Sequence, residues 1–209
     1  HTEYCNTIYD AGQKGGCGGA EKLLFKIPEL FDQGLLPTKP TVYEYSMVLN
    51  AWSKNQSAEA PQRAEKILAI MWENFESGEL DTKPNVVSYS SVIDCWGKAR
   101  QQGAADRSEA IFREMQDRYK AGDEALKPDV ITYNSVINAY AKTGNAARAE
   151  ALLEEMYDAF VAGDESVKPN VRSFNSVLDA WSKSASPEAP QRAEHVLSRM
   201  IKHLSLRHV

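Results

Sequence analysis

Long apolar runs are missing from this 209-residue chain, and no stretch approaches the ~18 apolar residues a membrane-spanning helix needs. A transmembrane helix and a membrane partner are therefore excluded. Cysteine is scarce: Cys5, Cys17 and Cys95 form an odd, widely spaced set that offers neither a disulfide framework nor paired zinc spacing. A reducing compartment fits such a chain. Glycine (12) and proline (9) are too few for a collagen-like or low-complexity protein. An excess of positive charge is also absent, with 24 Lys and Arg against 29 Asp and Glu and a formal net charge of −5. That balance disfavours a nonspecific nucleic-acid coat and leaves open a basic stripe on one face. Catalytic signatures are lacking too. His1, His195, His203 and His208 stand without a metal-ligand motif, and there is no His-Glu-x-x-His or Gly-x-Ser-x-Gly. The run Gly15-Gly16-Cys17-Gly18-Gly19 is followed by no Gly-Lys-Ser/Thr and reads as an inter-helix turn. The expectation is a chain that folds and is not an enzyme, with no cofactor, no metal and no small-molecule substrate. It starts at His1 with no charged and apolar leader, and reads as a piece of a longer protein.

What the chain does contain is a period. Lys-Pro recurs at 39–40, 83–84, 127–128 and 168–169, at spacings of 44, 44 and 41. After each comes a related block: TVYEYSMVLNAWSK (41–54), NVVSYSSVIDCWGK (85–98), DVITYNSVINAYAK (129–142) and NVRSFNSVLDAWSK (170–183). A second block follows: RAEKILAIM (63–71), RSEAIFREM (107–115), RAEALLEEM (148–156) and RAEHVLSRM (192–200). Residues 1–41 form a degenerate copy, in which TEYCNTIYDAGQK matches the first block and AEKLLFKIPELF the second. Both blocks carry helical periodicity. Tyr89, Val92, Ile93 and Trp96 fall on one face, as do Ile67, Leu68, Met71 and Phe75. Gly34, Gly78, Gly122 and Gly163 stand where a left-handed residue would end each second helix, and Lys-Pro forbids continuation. The spacing predicts an all-α protein, an α-solenoid of helix-turn-helix repeats wound into a right-handed superhelix, because no hairpin can bury its apolar stripe alone. The expected organisation is one solenoid with repeats at 1–41, 42–85, 86–129, 130–170 and 171–209, the last truncated. Length differences between units fall in the inter-helix turns.

The pattern Val-x-Thr/Ser-Tyr/Phe-Asn/Ser-Ser-Val-Ile/Leu-Asp/Asn-Ala-Trp/Tyr-x-Lys, then Ala-Glu-x-x-Leu-x-x-Met, then Lys-Pro-Asn/Asp, resembles the pentatricopeptide repeat family. The units of 41 and 44 residues are longer than that family's usual one, the extra residues lying in the second half. The resemblance implies sequence-specific binding of single-stranded RNA, one base per unit. It implies that the fifth and last residues of a unit choose the base: Ser46 with Asn85 for adenine, Ser90 with Asp129 for guanine, and Asn134 with Asn170 for a pyrimidine, cytosine somewhat over uracil. Asn175 carries a pyrimidine leaning, while Cys5 with Thr41 falls outside the usual combinations. The central reading is 5′-A-G-(C/U)-3′. The second residues, Tyr43, Val87, Ile131 and Arg172, would stack on bases. The resemblance further implies an organellar factor of RNA processing or expression, in mitochondrion or plastid, with protein partners possible in a longer parent.

Independently of the resemblance, Lys54, Lys98, Lys142 and Lys183 recur near the end of each first helix, and stacked units would align them into a ladder suited to a phosphate backbone. Other readings stand beside these. The small polar residues also suit helix N-terminal positions, and the lysines also complement a helix dipole. Trp52, Trp96, Tyr140 and Trp181, with Tyr45, Tyr89, Tyr133 and Phe174, are assigned to inter-repeat core. The alternative function is a tetratricopeptide-like scaffold that binds a peptide in its groove.

Overall fold

A computed structural model describes residues 16–205, which hold nine α-helices, three short 3-10 turns and no strand. The helices are α1 (Gly16–Asp32), α2 (Val42–Lys54), α3 (Ala60–Glu76), α4 (Val86–Lys98), α5 (Ala104–Lys120), α6 (Val130–Thr143), α7 (Ala146–Val161), α8 (Val171–Lys183) and α9 (Ala189–Ser205). The 3-10 turns span Leu80–Thr82, Glu124–Leu126 and Glu165–Val167, each just ahead of a Lys-Pro. They fold the longer second half of the unit back onto the core, burying Thr82, Leu126 and Val167. Residues 55–59, 99–103 and 184–188 join first to second helices, whereas Gly144 and Asn145 alone join α6 to α7.

Two compact units divide the chain, residues 1–101 and 102–209. In the first, α2 packs on α1, α3 and α4, and α3 packs on α4. In the second, α6 packs on α5, α7 and α8, and α8 packs on α7 and α9. Each is a stretch of α-solenoid: first helices stack directly on one another, α2 on α4 and α6 on α8, with second helices behind them.

The helical stripes close this core as their period requires. Tyr45, Tyr89, Tyr133 and Phe174 are buried, as are Val48, Val92, Val136 and Val177 one turn on, and each such side chain gains about 1.5–3 kcal/mol from burial. The buried tyrosines keep hydrogen-bond partners. Tyr45 Oη accepts from Asn74 Nδ2 at 2.9 Å, Tyr89 Oη from Trp72 Nε1 at 3.0 Å and Tyr133 Oη from Gln116 Nε2 at 3.1 Å. Trp52, Tyr140 and Trp181 are buried, and Trp96 is half-buried.

One expectation needs correcting. Gly16 to Gly19 are not an inter-helix turn but the first turn of α1. Cys17 explains this: its Sγ donates to the Ala51 carbonyl at 3.1 Å and accepts from Asn55 Nδ2 at 3.3 Å. Docking on the end of α2 outweighs the poor helix propensity of the glycines. The Gly15 end of that run lies outside the described residues.

Gly34, Gly78, Gly122 and Gly163 all take positive φ past their helices, as their spacing predicts. Gly144 does so at φ 73°, where it ends α6. A Cβ there would meet only the Lys183 carbonyl at an ordinary 3.7 Å, so the cost of Gly144→Ala is the left-handed backbone itself. The expected loss is about 1 kcal/mol in chemical denaturation.

A second use of the repeat is visible on the second helices. The glutamate of three Arg-Ala/Ser-Glu motifs accepts from an aromatic of the following first helix: Trp96 Nε1 to Glu65 Oε2 at 2.9 Å, Tyr140 Oη to Glu109 Oε2 at 2.8 Å, Trp181 Nε1 to Glu150 Oε2 at 2.7 Å. At Glu109 and Glu150 the arginine of the following unit's motif reaches back to the same carboxylate: Arg148 Nε donates to Glu109 Oε2 at 2.8 Å and Arg192 Nε to Glu150 Oε2 at 3.2 Å, while Arg63 Nη1 reaches Glu21 Oε1, at the equivalent place on α1, at 3.3 Å. The motif is thus a staple between consecutive hairpins.

Candidate nucleic-acid interface

The last residue of each unit is also the N-cap of the next first helix. Thr41, Asn85, Asp129 and Asn170 sit in extended backbone directly before α2, α4, α6 and α8. Their side chains satisfy amides that a helix start leaves without partners. Asn85 Oδ1 accepts from Val87 N at 3.0 Å and Ser88 N at 3.1 Å. Asn170 Oδ1 does the same with Arg172 N at 3.0 Å and Ser173 N at 3.2 Å. Asp129 Oδ1 accepts from Thr132 N at 2.9 Å and Thr132 Oγ1 at 2.8 Å. Thr41 Oγ1 accepts from Tyr43 N at 3.3 Å and donates to Glu44 Oε2 at 2.7 Å.

One and a half turns into each helix stands the fifth residue of the unit. Ser46 and Ser90 are partly exposed. Asn134 is only 4% exposed, and its Oδ1 has no hydrogen-bond partner among the described residues. Asn175 is exposed. Cys5 lies outside the described residues. In the first unit Ser46 Oγ lies 3.4 Å from Ser88 Oγ, which in turn lies 3.3 Å from Asn85 Oδ1. The fifth and last residues of the 42–85 unit are thereby joined through one buried hydroxyl.

The second residue of each unit lies between the cap and the fifth residue in sequence and points to water. Tyr43 is 57% exposed, Val87 52% and Ile131 61%. Arg172, at the fourth equivalent place, is exposed as well. Large apolar side chains left more than half exposed at one register position, while their neighbours two residues on are fully packed, form a repeated set of outward faces.

The lysines near the first-helix ends are exposed at Lys54, Lys98, Lys142 and Lys183. Two carry carboxylates of their own helix: Lys98 pairs with Asp94, and Lys183 Nζ with Asp179 Oδ2 at 2.5 Å. Lys98 Nζ also donates to the Ser53 carbonyl at 2.9 Å, which caps the end of α2. The lysines of the Lys-Pro pairs serve the scaffold instead. Lys39, Lys83 and Lys168 lie over Phe31, Phe75 and Phe160 at 5.6, 5.5 and 4.9 Å from the ring centroids. Lys39 pairs with Glu79 at 2.5 Å and Lys127 with Asp164 at 2.9 Å.

Residues 124–157, the turn before α6, α6 itself and most of α7, match the family model described as PPR repeat. The other two-block units stand in register with that segment. Over residues 124–157 the chain is similar to the pentatricopeptide repeat (PPR). No curated protein matches it significantly. Among solved structures, the chain is similar to the pentatricopeptide repeat protein PPR10, crystallised in complex with an 18-nt psaJ RNA element. The two are 22% identical with a TM-score of 0.33, the alignment covering 95% of this chain and 34% of PPR10. The chain thus spans about a third of the length of that protein.

The sequence singled out Thr41, Asn85, Asp129 and Asn170 and the second residues as candidate RNA contacts, but the hydrogen bonds that make the former helix caps and two further features of the repeats emerge only in the structure. One is the buried third residue, Glu44, Ser88, Thr132 or Ser173, that contacts each cap. The other is the Arg-Glu-aromatic staple, whose signal was the recurrence of Arg-Ala/Ser-Glu itself.

Proposed function

We propose that this chain is a pentatricopeptide repeat protein that binds single-stranded RNA on its first-helix face, one base per unit, and belongs to an organellar RNA-processing or expression factor of mitochondrion or plastid. The observation that carries the reading is the exposure of Tyr43, Val87 and Ile131 at one repeat position, with capped polar residues on one side in sequence and the fifth residues on the other. Bases unstacked from a single strand need a flat or aliphatic surface for their faces and a polar group for their edges. Each unit supplies both. Ser46 with Asn85 reads adenine, Ser90 with Asp129 guanine, and Asn134 with Asn170 a pyrimidine, giving 5′-A-G-(C/U)-3′; Arg172 stacks through its guanidinium plane, and Asn175 leans to a pyrimidine. Lys54, Lys98, Lys142 and Lys183 face the phosphates. The shared duty of Lys98 and Lys183 to Asp94 and Asp179 lowers their contribution.

Fluorescence anisotropy with a short A-G-C RNA, a scrambled RNA and the DNA equivalent tests this. The expected result is preference for A-G-C RNA and affinity that falls with salt. Lys54→Gln with Lys142→Gln should weaken all sequences alike and reduce the salt slope by about 1 per lysine. Equal binding of all three nucleic acids, or none, overturns base reading and turns attention to a peptide in the same groove.

A further inference from the structure

Resting on that reading, we infer that the buried third residue of each unit sets which side of the base-reading pair donates and which accepts. Ser88 is fully buried and cannot itself reach a ligand. Its hydroxyl has one proton and two lone pairs, and every one has a neighbour. Either serine could donate to the other, but Asn85 Oδ1 can only accept, and we assign the Ser88 proton to it at 3.3 Å. One lone pair faces Asn85 N at 3.5 Å, and the other is left for Ser46 Oγ at 3.4 Å. With its own proton committed to Asn85, Ser88 can only accept from Ser46. Ser46 therefore donates inward and offers lone pairs outward.

The amide of Asn85 is oriented by the same set of contacts. Its Oδ1 receives two backbone N–H groups as well as Ser88, a place no NH₂ could occupy, so Nδ2 is the end turned away from the helix. The pair thus presents an acceptor at Ser46 and a donor at Asn85. An adenine edge is complementary, N6–H donating and N1 accepting; a guanine edge, with O6 accepting and N1–H donating, is opposed at both points.

The 130–170 unit repeats the logic. Ser173 Oγ donates to Asn170 Oδ1 at 3.3 Å and accepts from Asn170 N at 3.1 Å, which leaves Asn170 Nδ2 as the outward donor. Asn134 Oδ1 is buried and without a partner among the described residues, so the outward polarity set here is that of Asn170 alone. At Asp129 the Thr132 hydroxyl and amide both occupy Oδ1, which leaves Oδ2 as an outward acceptor.

The test uses the whole chain and short RNAs that carry A, G, C or U at the first core position. Ser88→Ala frees the Ser46 proton to turn outward, and the preference for adenine over guanine should fall about tenfold, the size of one mis-set hydrogen bond. Ser88→Thr keeps the hydroxyl, as Thr132 does in the next unit, and should retain the preference. Asn85→Asp, which replaces the outward donor by an acceptor, should move the preference toward guanine. If Asn85→Asp leaves the base preference where it was, base reading by this unit fails and the inference with it. If Asn85→Asp moves it while Ser88→Ala leaves the adenine-to-guanine ratio unchanged, or weakens all four RNAs equally, base reading survives and the positioning role of Ser88 is wrong.

Discussion

Removing the three exposed apolar faces together, Tyr43→Ala, Val87→Ala and Ile131→Ala, is expected to lower RNA affinity by about a hundredfold or more while the fold stays intact. A base stacked on a protein side chain contributes about 1–3 kcal/mol, and aliphatic faces lie at the lower end. Three such losses sum to about 3–4 kcal/mol, or more than two decades in Kd. The fold is spared because these residues are more than half exposed, so their truncation leaves no enclosed cavity. The backbone N–H groups of residues 43 and 87 still reach their caps. Anisotropy titration beside thermal melting by circular dichroism checks both halves. Since every base has a π-face, the loss should be similar for matched and scrambled RNA. Affinity within about twofold of the parent chain, at unchanged melting, would remove the stacking role from these positions.

Stability should depend most sharply on Glu109. Its carboxylate is buried, and burial alone would raise its pKa. Hydrogen bonds from Arg148, Tyr140 and Arg113 outweigh burial and hold it well below the ordinary 4.5, at about 2. A carboxylate held down in the folded state stabilises the fold at pH values above its unfolded pKa. That contribution is lost as pH falls from about 4.5 toward 2. Glu155 and Asp164, in the same 102–209 unit, are held below their ordinary values as well, with hydrogen bonds from Arg113 and Ser166 among the causes that outweigh burial. Amide hydrogen exchange should accordingly rise in that unit as pH is lowered through this window. Glu109→Gln removes the charge that Arg148, Arg113 and Tyr140 share, at an expected cost of about 2–3 kcal/mol in urea denaturation at neutral pH. Part of the acid sensitivity should vanish with it. A variant as stable as the parent, with an unchanged acid transition, would show that the staple contributes packing and no electrostatic stabilisation.

Much of this arrangement is local and was legible without coordinates. The helix starts after Thr41, Asn85, Asp129 and Asn170 follow from capping chemistry within three residues, and the stops at Gly34, Gly78, Gly122 and Gly163 follow from positive φ. Assigning Tyr45, Tyr89, Tyr133 and Phe174 to the core followed from helical spacing, and all four are buried. The glycine run at 16–19 went the other way, because the contact that holds it helical is with Ala51, 34 residues from Cys17.

By itself the sequence determined the period, the hairpins, the class of fold and the register of the candidate readers, since each rests on interactions that span one helical turn or one cap. Only the tertiary structure decided what those residues touch at a separation of some forty positions. It placed Arg148 and Tyr140 on Glu109, drew Lys98 to the Ser53 carbonyl, buried Asn134 while Asn175 stayed exposed, and connected Ser46 to Asn85 through Ser88. A repeated side chain has the same local environment in every copy, but its partner belongs to the next copy, and which atom of that copy it meets is set by how the hairpins stack.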